Sequence, residues 1–223
     1  MAFTEHQKKL IEEHREHATD YHWWNETYDD FIAVARAFGI RTERDMISFS
    51  GFWSQGDGAS FETANFTLDE ILSEGIKTLE TGEFGGDPDK WEGYTKEFYL
   101  LYKLVFDKIG HHCLLHPEGR QVAESYGRRI YRNGPYSHEH TMRIDDSTFS
   151  AWTAEDDLAL AKCVGLDLDG FDDELLRYLR DCAKELYRAL EDQYDSMTDD
   201  ESVWEMIVSN GWDTAEEEED GQA

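Results

Sequence analysis

The chain has 223 residues, 39% of them hydrophobic and 13% aromatic, enough apolar material for a packed core and too much for wholesale disorder. It carries 50 Asp and Glu against 21 Lys and Arg, a formal charge of −29, so its field repels phosphate backbones and anionic lipid and attracts a cationic partner. Three cysteines (Cys113, Cys163 and Cys182) with no CxxC pair argue against a disulfide scaffold and for reduced thiols.

The opening residues MAFTEHQKKLIEEH lack the apolar stretch of a signal peptide, and no run is long enough to cross a bilayer, so a cytoplasmic protein is expected. Thr4-Glu5-His6-Gln7 reads as a capping box that starts a first helix. Trp24, Tyr28, Phe31, Ala35 and Phe38 recur at helical spacing along a second helix, and Gly39 stands where a left-handed cap ends it. Residues 46–53 then alternate large and small side chains, Ser54-Gln55-Gly56-Asp57-Gly58 supplies a turn, and residues 59–66 return, which predicts a β-hairpin.

Thr67-Leu68-Asp69-Glu70 caps a further helix, and a Gly-rich loop over Thr81 to Asp87 follows it. Pro88 is expected to start a long helix carrying Trp91, Tyr94, Phe98, Leu101, Val105 and Ile109 on one side. Arg120–Tyr131 and Tyr136–Phe149 are predicted to pair as a second hairpin around Asn133-Gly134.

Beyond Trp152 the chain reads as helical, with 23 acids against 5 bases. Leu175, Leu179, Cys182, Leu186 and Leu190 form one stripe there, and Thr198-Asp199-Asp200-Glu201 caps another helix. The fold class expected is α+β: a small antiparallel sheet made of two hairpins and packed by helices, with a helical acidic C-terminal part. The organisation expected is an α+β core over residues 1–152, a helical acidic segment packed on it over 153–215, and a disordered acidic tail over 216–223.

The segment FSGFWSQGDGASF is the densest unusual feature. Trp53, Gln55 and Asp57 on a tight turn suit contact with a partner or a small ligand; the competing reading is an aromatic hairpin that serves only as packing. Gly56-Asp57-Gly58 lacks the later glycines and the lysine of a phosphate-binding loop. Two groups of metal-ligand type occur: His111, His112, Cys113 and His116 in one, His138 and His140 flanking Glu139 on a strand face in the other. Neither has HExxH or paired CxxC spacing, so His near a helix C-terminus and on a half-exposed hairpin explains both groups and no cofactor is assigned. Asp167-Leu168-Asp169-Gly170 fails the calcium-loop spacing, and Asp172 and Asp173 read as helix caps. No GxSxG or papain-like cysteine context is present, and the reading is non-enzymatic.

The acidic surface is the stronger feature. The helix over 172–196 carries Asp172, Asp173, Glu174, Asp181, Glu185, Glu191, Asp192 and Asp195 off its leucine stripe, a row of carboxylates able to imitate nucleic-acid charge and dock a cationic cleft. High acid content for solubility alone is the competing explanation. One island opposes it: Arg120, Arg128, Arg129, Arg132 and Arg143 cluster in the second hairpin, either as internal partners of the acids or as a second contact site.

ISFSGFWSQGDGASF, preceded by the Trp23-Trp24 pair and Gly39-Ile40, resembles a mostly uncharacterised group of small proteins encoded by phages, prophages and their hosts, some of them labelled antitoxins. Tyr136-Ser137-His138, Met142 to Asp145, Leu186 to Asp195, and Ser202 to Ile207 with Asn210 continue the likeness, which spans roughly residues 20–215. Pro135 departs from it, standing where that group carries a basic residue. The resemblance implies a mobile-element protein acting on host or defence machinery through protein contacts. Together with the charge, it leads to an expected partner: the basic surface of a nuclease, toxin, or CRISPR or restriction effector, with no direct nucleic-acid or membrane binding. A metal-dependent enzyme or a ligand-sensing regulator is the alternative.

Overall fold

The computed structural model describes residues 2–19, 21–110, 117–145 and 168–214. In chain order these form α1 (Glu5–His14), α2 (Asn25–Ala37), β1 (Ile47–Ser50), β2 (Gly58–Phe61), β3 (Phe66–Thr67), α3 (Leu68–Thr81), α4 (Gly93–Val105), α5 (Pro117–Ser125), β4 (Gly127–Arg132), β5 (Met142–Asp145), α6 (Leu168–Thr198) and α7 (Asp200–Asn210). β1 and β2 make a two-stranded antiparallel sheet, and β3-β4-β5 a three-stranded one. The class is α+β, small sheets packed by helices. No helix among the described residues is long and apolar enough to cross a membrane.

The chain forms two compact units, Thr27–Arg188 and a smaller one joining Met1–Glu26 to Ala189–Ala223, a division that differs from the cut expected near residue 152. That cut and the acidic tail over 216–223 lie outside the described residues. In the smaller unit α1 begins with the expected capping box: the Gln7 amide N–H donates to Thr4 Oγ1 at 3.2 Å, and the Thr4 N–H donates to Gln7 Oε1 at 2.9 Å. Leu10 and Ile11 on α1 bury themselves against Val203 and Ile207 of α7, with Phe3, Trp204 and Trp212 closing the edge. The cap of α7 is Asp199, which accepts from the Ser202 N–H at 2.7 Å, one residue beyond the expected Thr198. The Thr198 hydroxyl is turned back onto the Tyr194 carbonyl at 2.8 Å, and a hydroxyl committed four residues back no longer serves as a cap.

In the larger unit, α2 buries Tyr28, Phe31, Ala35 and Phe38. Phe31 meets Phe61 of β2 at 5.1 Å and Phe98 of α4 at 5.4 Å, tilted ring contacts that favour aromatic pairs. The helix ends as expected at Gly39 (φ +78°), and the Ile40 N–H reaches back to the Ala35 carbonyl at 2.9 Å. The first hairpin also forms, in the register Ile47↔Phe61 to Ser50↔Gly58. Residues 62 and 63 then tie it to the other sheet. The Ile130 N–H donates to Thr63 Oγ1 at 2.9 Å, the Thr63 N–H donates to the Ile130 carbonyl at 3.0 Å, and the Arg132 N–H donates to Glu62 Oε1 at 2.9 Å.

Three elements depart from the sequence reading. Residues 120–125 belong to α5, not to a strand, because Pro117 at the first helical position starts a helix there. The second hairpin is shorter than expected, Arg129↔Asp145 to Arg132↔Met142, and Asn133-Gly134 does not close it. Only Gly134 has positive φ, whereas the two-residue turn needs it at both central positions, so the chain makes a longer loop containing a 3₁₀ turn at Glu139–Thr141. The far end of the expected return strand lies outside the described residues. Pro88 opens only a single 3₁₀ turn, with Asp87 as its cap; α4 begins at Gly93 and runs into a π turn at Phe106–Gly110.

Gly39 is required twice over, since a Cβ there would also lie 2.5 Å from the Glu70 carbonyl oxygen, whereas Gly82 (φ +64°) ends α3 in open space. Gly39→Ala is therefore expected to cost about 2–4 kcal/mol, left-handed strain plus overpacking, while Gly82→Ala costs about 1 kcal/mol from strain alone. Urea denaturation of the two variants compares them directly; equal losses contradict the close-approach argument.

Candidate functional site

The loop between β1 and β2 is built around Asp57. Its Oδ2 accepts from the Ser54 N–H at 2.6 Å, and its carboxylate packs where a Cβ on Gly51 would sit, so Asp57 holds the loop's shape. Phe52 lies against Tyr187 of α6 at 5.5 Å, and the Tyr187 hydroxyl donates to the Gly51 carbonyl at 3.0 Å. Gln55 is exposed and Trp53 is 75% exposed, with its ring edge-on to Phe52. The segment is thus scaffold at its base and presented surface at its tip. Of the three expected contact residues, Asp57 is committed to the loop and Trp53 rests on Phe52 while most of its surface stays exposed.

The acids of α6 divide in the same way. Asp172 is not a helix cap, because α6 begins at Leu168 and places it one turn inside. Its carboxylate receives Arg128 Nε and Nη2 at 3.1 Å and the hydroxyl of Tyr126, while the Arg128 guanidinium lies 3.8 Å over the Tyr126 ring. Burial and the Asp172 charge hold the Tyr126 phenol well above its ordinary range. Glu174 pairs with Lys108 at 3.4 Å, Asp181 with Lys184 at 2.8 Å and Arg177 at 4.0 Å, and Glu185 with Arg188. Asp173 is exposed.

At the far end of α6 the picture reverses. Glu191, Asp192 and Asp195 share one face, Asp199 follows a turn later, and none of the four has a cation within ion-pair distance among the described residues. Like charges at these spacings repel by a few tenths of a kcal/mol per pair, roughly 0.2–0.5.

His138 and His140 do not lie on a strand face: His138 caps the 3₁₀ turn between β4 and β5, and His140 lies within it. His138 Nδ1 stands 2.9 Å from Glu139 Oε2, and its ring stacks on His140 at 4.8 Å. One ligand atom from each of His138, Glu139 and His140 falls within 4.8 Å of the others. Glu139 is buried at 8% exposure, and the turn packs on the first hairpin so closely that a Cβ on Gly58 would lie 3.2 Å from the His138 Cα. His111, His112, Cys113 and His116 lie outside the described residues. Cys182 is buried, and that burial, then the charge of Glu97, pushes its thiol up, away from reactivity.

Glu139, Glu97 and Arg180 were not singled out in the sequence. Glu97 carries no pattern of its own, but burial raises its carboxyl above the ordinary range and the facing Asp181 and Glu185 raise it further, against Lys96 and Arg177. A groove of about 540 Å³ between the end of α2 and α3 is lined by Arg36, Arg41, Glu70, Glu74, Lys77 and Glu83. Its charges are largely self-paired, Arg41 with Glu70 and Lys77 with Glu74, and none of the sequence-derived residues lies in it.

Residues 23–200, most of the chain, match the family model described as "Domain of unknown function (DUF8835)". No curated protein and no solved structure matches the chain.

A raised carboxyl pKa means the folded state holds its proton more tightly than the unfolded state, so stability falls as pH rises through the interval between the ordinary and raised values. Glu97→Gln removes that penalty. The variant is expected to melt about 1–2 °C higher than the parent at pH 7, the modest size appropriate to a partly exposed group, and to match it near pH 4. Thermal denaturation at both pH values checks this; a gain that persists at pH 4 contradicts it.

Proposed function

The chain belongs to the DUF8835 family, and we propose that it acts by protein–protein contact, presenting carboxylates to the cationic surface of a nucleic-acid-binding protein and so blocking that surface. The observation that carries this reading is the unneutralised row Glu191, Asp192, Asp195 and Asp199. Earlier on α6, Asp172, Glu174, Asp181 and Glu185 each have a lysine or arginine beside them and Asp173 stands exposed without one, so the acids without a cation gather towards the far end of the helix. Repulsion among Glu191, Asp192 and Asp195 is relieved when a basic cleft covers the row, while Asp199 adds its charge from its place as the cap of α7. The net charge of −29 adds long-range steering towards such a partner. The likeness of the FSGFWSQGDGASF core to phage and prophage proteins directs the partner search to host or defence machinery: a nuclease, a toxin, or a restriction or CRISPR effector. In this reading the molecule works in the cytoplasm and without a catalytic step.

The test uses the full chain as bait in its native host, followed by affinity measurement on the purified partner. Glu191→Gln, Asp192→Asn, Asp195→Asn and Asp199→Asn combined are expected to weaken binding roughly tenfold or more, and raising salt from 0.05 to about 0.5 M to weaken the parent comparably. Unchanged affinity in both arms overturns the reading, as does a partner that binds this protein and nucleic acid simultaneously.

A metal-dependent enzyme is the second reading, favoured by one observation, the convergence of His138, Glu139 and His140. Against it stand the Arg143 guanidinium, a cation hydrogen-bonded to the His140 carbonyl at 2.5 Å, and the engagement of the Glu139 carboxylate with His138 Nδ1 at 2.9 Å. Elemental analysis of the purified protein is expected to find zinc well below one equivalent; one equivalent that disappears in His138→Ala reverses the ranking.

A further inference from the structure

The arginine island of the sequence separates in the fold. Arg120 pairs with Asp69 at 3.5 Å and Glu124 at 3.3 Å, and Arg128 is taken up by Asp172. Arg129, Arg132 and Arg143 meet no carboxylate within ion-pair distance among the described residues, and Arg143 is set apart by Arg180, equally without one, which α6 brings alongside it. Instead both guanidiniums stand on one backbone oxygen. Arg143 Nη1 donates to the Met142 carbonyl at 2.8 Å and to the His140 carbonyl at 2.5 Å, and Arg180 Nη2 donates to the same Met142 oxygen at 2.8 Å. The two cationic nitrogens are therefore separated by no more than twice that distance.

Two half-buried like charges at this range repel, and a chain with 50 acidic residues could have placed one between them. Glu139, buried in the adjoining turn, keeps its carboxylate on His138, and Asp173 lies nearly two helical turns before Arg180; both act on Arg180 only from beyond contact distance. Asp145, on the same strand face as Arg143, has contacts of its own. Arg180 Nε is shielded from solvent and has no acceptor. Burial and the neighbouring Arg143 both lower the affinity of the Arg180 guanidinium for its proton, the direction expected of a cation that lacks its counter-ion.

We propose that Arg143 and Arg180 form a binding site for a phosphate-type oxyanion, with the uncommitted N–H edges of the two guanidiniums as donors. Guanidinium is suited to this task because its planar fork matches two oxygens of one phosphate. The shared Met142 oxygen and the His140 carbonyl fix the positions of the two heads before the ligand arrives, so the ligand does not have to order them. The occupant is a small molecule carrying a phosphate group, or inorganic phosphate itself. Extended nucleic acid is disfavoured by the −29 charge of the whole chain, which a single phosphate feels far less.

Isothermal titration of the full chain with inorganic phosphate, and separately with a nucleoside monophosphate, tests the site. Saturable one-site binding with a Kd of roughly 1 mM or tighter is expected for at least one of them. Arg143→Gln and Arg180→Gln should each weaken it about tenfold or more, Arg180→Lys should recover only part, and Arg120→Gln should leave it unchanged. Much tighter binding of the nucleotide identifies a nucleotide as the source, and equal binding identifies the bare oxyanion; either outcome supports the site. No saturable binding up to about 20 mM, or binding that Arg143→Gln leaves intact, overturns it. Should Arg180→Gln lose its far-ultraviolet circular dichroism, Arg143→Gln decides alone, since that side chain anchors only on carbonyls of its own strand and turn.

Discussion

One buried ion pair sets the phase of the larger unit. Arg128 on β4 and Asp172 on α6 meet through Nε and Nη2, Tyr126 adds its hydroxyl and its ring face, and the Arg128 side chain is only 6% exposed. Such a pair contributes little net stability over an apolar substitute, but losing one partner costs several kcal/mol, about 3–5, because the survivor is left charged and dry. Its effect is thus on specificity: a helix rotated or slid by one residue would strand both charges. The long leucine stripe of α6 would tolerate such a slip far better than the pair does, since apolar packing is less directional than a fork of hydrogen bonds.

The rest of α6 follows from that anchor. Counting at 1.5 Å per residue, Arg180 lies about 12 Å beyond Asp172, and Tyr187 about 22 Å beyond it. At both places the helix reaches back to the β-structure. Arg180 meets the start of β5 at Met142, and Tyr187 meets the base of the FSGFWSQGDGASF loop at Gly51. A single helix therefore connects the β4–β5 edge to the aromatic loop, and the Trp53 tip is presented from a base held at Gly51, Phe52 and Asp57. The same register explains why Glu174, Asp181 and Glu185 are paired: Lys108 lies where Glu174 passes, and the i+3 and i−4 positions supply Lys184, Arg188 and Arg177.

What the sequence disclosed was local chemistry. The capping boxes at Thr4 and Thr67, the left-handed cap at Gly39 and the alternation of the first hairpin depend on neighbours within five residues, and all four appear in place. The second hairpin misled because Asn-Gly is a strong signal only when both residues take positive φ, which Asn133 does not, and because Pro117 had already committed the preceding stretch to a helix. The surroundings of the candidate site residues were not legible for a different reason. Whether an acid is available to a partner depends on cations far away in sequence, such as Arg128 for Asp172, and no spacing rule reports that. Arg180 shows the same blindness in reverse. It reads as an ordinary charge beside the leucine stripe, and only the approach of β5 reveals that it has Arg143 for a neighbour and, among the described residues, no acid within ion-pair distance.

Uncompensated charge is the feature that links these observations to function. A folded chain lowers its free energy by pairing opposite charges where pairing is available, and many of the described lysines and arginines do so with short i,i+3 and i,i+4 contacts worth tenths of a kcal/mol each, about 0.3–0.5. The row at 191–199 and the couple Arg143–Arg180 depart from this in opposite senses, one anionic in the smaller unit and one cationic in the larger. Simple acid enrichment for solubility would scatter carboxylates and would leave no reason for two arginines to share an oxygen in a protein of charge −29. On the readings proposed above, a ligand of the opposite sign relieves the repulsion within each grouping. Their difference in sign and location makes them separable: neutralising the acids leaves the arginine couple intact, and replacing Arg143 leaves the acidic row intact.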